Sequence, residues 1–321
     1  MSAHGSKKVI YAALVGNLAI AATKFGAALW TGSSAMLSES IHSLVDTVNQ
    51  ALLLFGLRRA ARPATERHPF GHGIEIYFWA FVVALMIFAL GGALSIYEGV
   101  HKLSDPEPLH DIWINFVVLG ASIVIEALTF RVAWKELRTS HPDLSPFTAV
   151  QRSKDPSVFA VLCEDAAALI GLGIALAGLT LAYWLDAPIY DGAASIGIGC
   201  VLILTAGFLA RETLSLITGE SASREVIHEV RTVLAEDPRV VHVQDLLTMH
   251  LGPSDILVAV SIDFDDAMTS PEIEAAAHDL TAKLQAARPE ITRVFLRPVS
   301  AKTASADAAL SGAASAALAQ S

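Results

Sequence analysis

Ser38-Glu39-Ser40-Ile41-His42-Ser43-Leu44-Val45-Asp46-Thr47-Val48-Asn49-Gln50 lies inside a long apolar run, yet it carries a histidine, carboxylates and two amides. His42 and Asp46 are four residues apart, so on a helix they stand one above the other. Glu39, three before His42, begins that stripe, and Asn49, seven after it, continues it. A carboxylate near the centre of a bilayer costs about 2.5–3.5 kcal/mol to insert, so such residues face polar pathways. Two roles are open for the stripe: a His–Asp pair that joins helices, or a cation site within the membrane.

Around it the chain has the composition of a membrane protein. Of its 321 residues 53% are hydrophobic and 17% charged, against about 25% charged in soluble domains. The formal net charge of −10 is unevenly spread and identifies no partner; nucleic acid is not expected among them. Cys163 and Cys200, the only cysteines, both fall in apolar runs, which excludes a disulfide framework and a thiolate zinc finger.

Segments of about 20 apolar residues number six: Val9–Trp30, Ala35–Leu57, Tyr77–Val100, Trp113–Trp134, Val158–Trp184 and Ile189–Ala210. Trp30, Trp113, Trp134 and Trp184 stand at span ends, where an aromatic belt places them. The first run is too long for a signal-peptide core and lacks a small-residue cleavage site. Lys7 and Lys8 precede span one, Arg58, Arg59, Arg62 and Arg67 separate spans two and three, and Lys135, Arg138, Arg152 and Lys154 separate four and five. Arg211 follows span six, and the alternate loops hold Lys102 alone. The positive-inside rule therefore puts both termini in the cytoplasm.

Other polar residues interrupt the spans. Asn17 and Lys24 share a face of span one, and an ion pair between Lys24 and a carboxylate such as Glu126 of span four is one expectation. Span five carries Glu164-Asp165; neighbours on a helix diverge by about 100°, so one of the two points straight into a given cavity. Cys163 reads as a packed small hydrophobe. Gly171, Gly173, Gly178, Gly192, Gly197 and Gly199 predict a close approach of spans five and six. Between spans two and three, His68-Pro69-Phe70-Gly71-His72-Gly73 reads either as a structural turn or as a His68/His72 chelate.

After Arg211 the composition becomes that of a soluble domain. An amphipathic helix over residues 222–236 presents Val226, Val230 and Val233. Strands Val240–Leu251 and Asp255–Phe264 flank a Gly252-Pro253-Ser254 turn. Ser270 is expected to cap a helix opening at Pro271, with Ile273, Ala277, Leu280 and Leu284 inward. Ile291–Leu296 is the last strand. The expected fold is an α-helical membrane protein of six transmembrane helices, residues 1–210, followed by a small αββαβ, ferredoxin-like domain over residues 211–299. Residues 300–321 are Ala/Ser-rich and expected to be disordered.

The HxxxD pair His42/Asp46, Asp165 in Leu-Cys-Glu-Asp-Ala-Ala-Ala-Leu, the HPFGHG loop and the αββαβ tail together resemble the cation diffusion facilitator family, and within it the zinc transporter nine-like branch. The resemblance covers the chain to about Pro298. It implies export of Zn²⁺ or a related divalent cation from the cytoplasm in exchange for protons, by a homodimer with no prosthetic group, expected in a bacterial inner (plasma) membrane. It implies His42, Asp46 and Asp165 as metal ligands. The family's fourth ligand, one turn before Asp165, is Val161 here, which leaves water, Asn49 or Glu164 to complete the shell. The family's tail histidines are replaced by Gln244, Ser261 and Leu296, with His278 remaining, so the tail is expected to dimerise rather than bind metal.

The donor types agree with that implication. Imidazole with carboxylates suits Zn²⁺, Mn²⁺, Fe²⁺ or Co²⁺ better than Ca²⁺. Metal loading displaces protons from its ligands, and His42 changes charge near neutrality. Two rival classes stay open: an intramembrane metalloenzyme with Glu164 or Glu39 as base, although no HExxH is present, and a non-transporting scaffold.

Overall fold

The computed structural model describes residues 3–31, 34–104, 112–140, 142 and 144–300. Residues 301–321, expected to be disordered, lie outside the described residues, as do the side chains of Glu39 and His42. Two compact units form, residues 1–218 and 219–321.

The first unit is helical throughout. It consists of α1 (Ala3–Thr31), α2 (Ser34–Ala60), α3 (Glu75–Met86), a π-helical segment (Ile87–Ala93), α4 (Leu94–Ser104), α5 (Ile112–Ser140), the short α6 (Pro146–Arg152), α7 (Pro156–Leu185) and α8 (Ile189–Ile217). Among the described residues five helical stretches are long and apolar enough to cross a membrane: Lys7–Ala27, Glu75–Ser104, Trp113–Ser140, Pro156–Leu185 and Ile189–Ile217. The 27-residue α2 is not one of them. Five of the six expected spans are thus met by this criterion, and the polar stripe that drew attention to α2 also lowers its hydropathy, which keeps α2 out of the set. α8 continues past Arg211 to Ile217.

Helix starts follow from local chemistry. Asp155, in extended conformation, accepts a hydrogen bond from Ser157 N at 3.1 Å, and Pro156 occupies the first helical position of α7, where its missing N–H is no loss. Ser145 caps α6 in the same way, its hydroxyl accepting from Thr148 N. Leu53, Ile76, Tyr77, Phe159, Val161 and Leu209 from α2, α3, α7 and α8 meet in one buried core. The outward faces carry Val15, Leu29, Val117, Val124, Leu128 and Leu204, all exposed, the surface that lipid covers.

Two glycine seams set the helix spacing. A Cβ on Gly99 would lie 2.8 Å from the Gly192 carbonyl oxygen, and one on Gly199 would lie 2.8 Å from the Gly92 oxygen. The backbones of α4 and the π segment therefore touch that of α8 directly. Gly192 and Gly199, expected to serve the contact of spans five and six, serve this seam instead. Between α7 and α8 the tight point is Gly178 against Ala194, at 2.4 Å from an added Cβ, whereas nothing lies within 4 Å at Gly173.

The second unit is α9 (Arg224–Ala235), β1 (Val240–Gly252), β2 (Asp255–Phe264), α10 (Ser270–Ala287) and β3 (Ile291–Pro298). The sheet order is β1-β2-β3, with β1/β2 antiparallel and β2/β3 parallel through the α10 crossover. Val226, Val230 and Leu234 of α9 and Ala276, Leu280 and Leu284 of α10 cover Ile256, Val258, Val260 and Ile262 on one face. Leu234 and Ala276 take the buried places expected for Val233 and Ala277. The cap of α10 is Thr269 rather than Ser270: Glu272 accepts from Thr269 N at 2.7 Å, and the two residues complete a reciprocal capping box. Asp237 is buried between α9 and β1 and accepts from Arg239 Nε at 2.9 Å and Lys283 Nζ at 2.8 Å. The Arg239 guanidinium beside it holds its carboxyl well below the usual carboxylate range, with Lys283 adding to the effect.

Candidate metal-transport site

Helices α1, α2, α5 and α7 bring the polar residues of the membrane unit together. From α2, Asn49 and Gln50 are fully buried, and Asp46 is half-buried. From α7 come Glu164 and Asp165, the latter only 1% exposed. From α5 come Glu126, 3% exposed, and Thr129; from α1 come Asn17 and Lys24. The approach of α1 to α5 depends on Gly16, where a Cβ would fall 2.4 Å from Thr129 Cγ2.

The two adjacent carboxylates of α7 turn to different neighbours. Glu164 faces α2: its Oε1 accepts from Asn49 Nδ2 at 3.0 Å and its Oε2 from Gln50 Nε2 at 2.8 Å. Gln50 Oε1 in turn accepts from Asn17 Nδ2 at 3.2 Å, so three helices share one amide–carboxylate chain. Asp165 interacts electrostatically with Thr129 and Glu126 of α5. Asp46 lies within electrostatic reach of Glu126, Glu164 and Asp165. Lys24 Nζ donates to Ser43 Oγ at 3.3 Å, and its charge acts on Glu126.

Not every acceptor in this region is satisfied. Asp165 Oδ2 and Asn49 Oδ1 are buried with no hydrogen-bond partner among the described residues. An orphaned buried carboxylate oxygen is costly, because its hydration has been lost and nothing replaces it. A divalent cation is a partner of the right charge and hardness for such an oxygen. Among the described residues no three His, Cys, Asp or Glu side chains converge closely enough to hold a metal ion. His42 stands one turn before Asp46 on α2, and its side chain lies outside that set.

The HPFGHG loop is built as a turn. Thr65 and His68 exchange backbone hydrogen bonds at 3.1 and 3.0 Å, and Gly71 adopts φ +87°, a conformation side chains disfavour. The His68 and His72 rings lie 4.5 Å apart, tilted by 40°. His72 Nδ1 is 2.6 Å from Glu75 Oε1, and Arg59 Nε donates to Glu75 Oε2 at 2.6 Å. The loop thereby ties the end of α2 to the start of α3.

Val161 is buried in the apolar core, one turn before Asp165. Thr129 carried no signal in the sequence, since hydroxyls are common in membrane helices, and Gln50 stood out only as one of two amides in an apolar run.

Comparison with known proteins gives two family matches. Residues 10–218 match the cation efflux transmembrane domain, and residues 222–297 match the cytoplasmic domain of cation efflux proteins. The proton-coupled zinc antiporter SLC30A9, mitochondrial, of Xenopus laevis is 34% identical over 263 residues, 81% of this chain and 47% of its own length. Metal tolerance protein C4 of Arabidopsis thaliana is 32% identical over 266 residues, 82% of this chain and 58% of its own. The cation-efflux pump FieF of Yersinia enterocolitica is 25% identical over 288 residues, 85% and 89% of the two chains. The chain thus spans about half the length of the antiporters it matches. It is a multi-pass integral membrane protein.

Proposed function

We propose that this chain, which belongs to the cation efflux family, moves a divalent cation, Zn²⁺ first, across its membrane in exchange for protons and is a transporter rather than an enzyme. The observation that carries the reading is the orphaned oxygen of Asp165, buried on α7 within electrostatic reach of Asp46 among helices that lipid surrounds. His42, Asp46 and Asp165 are the proposed ligands. Glu164, with both oxygens accepting from amides, is the strut that fixes α7 against α2. The relatives named as proton-coupled zinc antiporters support both the cargo and the counter-ion.

Coupling follows from competition for the same atoms. Imidazole and carboxylate ligands bind metal only when deprotonated, so loading releases protons and protonation releases metal. A site that opens alternately to the two sides then exchanges one for the other. Zinc's usual four-coordinate shell needs one donor more than these three residues. Three donors rich in oxygen also accept Mn²⁺, Fe²⁺ or Co²⁺, which makes those ions the competing cargoes.

In this reading α2 is the sixth span, tolerated in the bilayer because its polar stripe faces the site, and both termini lie on the Lys/Arg-rich side. The bacterial plasma membrane expected from the sequence lacks support from the antiporters, whose names are mitochondrial. The cytoplasmic unit joins two copies. Leu247, Ala259 and Phe295 stand in register across the uncovered sheet face, with Leu247 69% and Phe295 55% exposed. Asp245 borders this row on β1 and Arg297 on β3, so a two-fold axis through Ala259 pairs acid with base.

The test is zinc flux into sealed vesicles holding the full chain under an imposed pH gradient. Flux should depend on the gradient and disappear in Asp46→Ala and Asp165→Ala, both of which should still insert. Wild-type flux from Asp46→Ala would refute the site.

A further inference from the structure

Residues 156–162 of α7 lie between Asp165 and the end of the helix that follows Arg152 and Lys154, and all seven are buried. A membrane helix that meets lipid buries only a stripe. Beyond Asp165 α7 does so, with Ala167 and Gly171 buried while Ile170 and Leu176 are exposed. Its first two turns are instead enclosed all round. Leu137 of α5, Ile10 of α1, Leu53 of α2, Tyr77 of α3 and Ala149 and Val150 of α6 share one core with Phe159 and Val161. Ser157, the only hydroxyl in the stretch, donates to Asp155. At about 1.5 Å per residue, a cation entering from this end crosses about 14 Å of mostly apolar packing before Asp165, and a constriction of that kind stays dry.

The element around this plug that is not itself a long helix is α6, seven residues whose described buried side chains are Ala149 and Val150. Its fastening comes from α5. Arg138 Nη1 donates to the Leu144 carbonyl at 3.0 Å and to the Pro142 carbonyl at 3.4 Å. The same guanidinium lies 5.5 Å over the Trp134 ring, and Trp134 stacks on Phe130 at 5.8 Å. Residues 130, 134 and 138 stand at four-residue spacing, so one face of α5 forms a stack that aims the guanidinium at the chain entering α6. We infer that α6 is a strap that closes this mouth of the path to Asp165, and that Arg138 is the positioning residue that fastens it. The inference rests on the reading that the cargo reaches Asp165. Lifting α6 draws Ala149 and Val150 out of the core and opens the first turns of α7 to water; its return seals them.

The experiment reads access to the plug without metal. It uses the full chain in detergent with Cys163→Ala and Cys200→Ala, and a water-soluble maleimide as the probe. The reporter is Ala160→Cys, at a position 1% exposed, beside Ala64→Cys in the exposed α2–α3 loop. Ala160→Cys should react about 100-fold or more slowly than Ala64→Cys, since labelling waits for an opening. Arg138→Gln should speed it by about 10- to 100-fold, the change in open population expected when a charged donor to backbone carbonyls is lost. Arg138→Lys keeps the charge but neither forks nor stacks as a plane, so it should resemble Arg138→Gln. Val150→Asp, which sets a charge in the core, should act in the same direction. Ala182→Cys, buried at the far end of α7, should keep its rate in all three. The inference is overturned if Ala160→Cys labels like Ala64→Cys in the otherwise unaltered chain, or if Arg138→Gln leaves its rate unchanged. A rise shared equally by Ala182→Cys overturns it too, because that is general loosening. Should Val150→Asp fail to elute as a folded chain, Arg138→Gln alone decides. Zinc flux in vesicles separates the readings: labelling that follows this pattern in a chain without flux leaves the strap standing and fails the transport reading.

Discussion

Replacing Gly99 with alanine probes the contact that holds α4 to α8. The added Cβ would sit 2.8 Å from the Gly192 carbonyl oxygen, 2.9 Å from Ile196 N and 2.7 Å from Ile196 Cγ1. Ordinary contact begins near about 3.5 Å, so the two helices must part by roughly 0.7 Å along this seam. Overpacking costs about 1–3 kcal/mol, and contacts under 3.0 Å with two backbone atoms as well as a side chain put this case at about 2–3 kcal/mol. Alanine recovers up to about 1 kcal/mol of helix propensity, which leaves a net loss of about 1–2 kcal/mol. On the scale for domains of this size, that lowers the thermal midpoint by about 2–8 °C. The measurement is a melting curve of the full chain in detergent, followed by size exclusion, beside Gly173→Ala and Gly207→Ala. Nothing lies within 4 Å of a Cβ at either control position, so both should melt at or slightly above wild type. Gly99→Ala and Gly192→Ala should also cost less together than their sum, because helices already separated have room for the second methyl. If Gly99→Ala melts with the wild type, or Gly173→Ala falls as far, backbone contact does not set the spacing of these helices.

Two further predictions concern the cytoplasmic unit. Because Arg239 and Lys283 hold the folded pKa of Asp237 below its unfolded value, the carboxylate contributes stability that is present above the usual carboxylate range and lost as pH falls. Asp237→Asn should therefore cost about 1–3 kcal/mol near pH 7, with the gap to wild type closing below about pH 4; a gap that stays constant with pH in denaturant titrations rules out the ion pair as its source. Phe295→Asp places a charge on the uncovered sheet face and should convert a dimeric chain to monomer in light scattering, with little change in the fold of either unit, since Phe295 is already 55% exposed. An unchanged dimer mass moves the contact elsewhere.

Much of the candidate site was legible because charge is rare in apolar runs. His42 and Asp46 at helical spacing, and Glu164 beside Asp165, stand out in any reading of the chain. Which of the latter pair does what was not legible, since the answer depends on the Asn49 and Gln50 amides, more than a hundred residues away. Glu126 has no spaced partner on its own helix, so its sequence context offered only an expected ion pair with Lys24. Gly92 and Gly99 passed unremarked for a similar reason: each is an isolated glycine in its own helix, and its meaning lies in Gly199 and Gly192 across the seam. The αββαβ order was readable from alternation and turn residues. The cap of α10 was misplaced by one residue, although Thr269 with Glu272 three positions on is the capping-box pattern and decides between two neighbouring hydroxyls.

The π segment Ile87–Ala93 makes the third span asymmetric toward changes in its length. A wider turn absorbs one residue more than an α-helix would over the same rise, and the halves on either side keep their own phase: Tyr77, Ala80 and Ala84 inward before it, Gly92 and Gly99 against α8 after it. Removing one residue within the segment lets it relax to an ordinary α-turn with both halves still in phase. Adding one has no such outlet and swings everything beyond it by about 100°, carrying Gly99 off its seam. The helix holds a single spare residue, and its tolerance of deletion but not insertion is fixed by that slack.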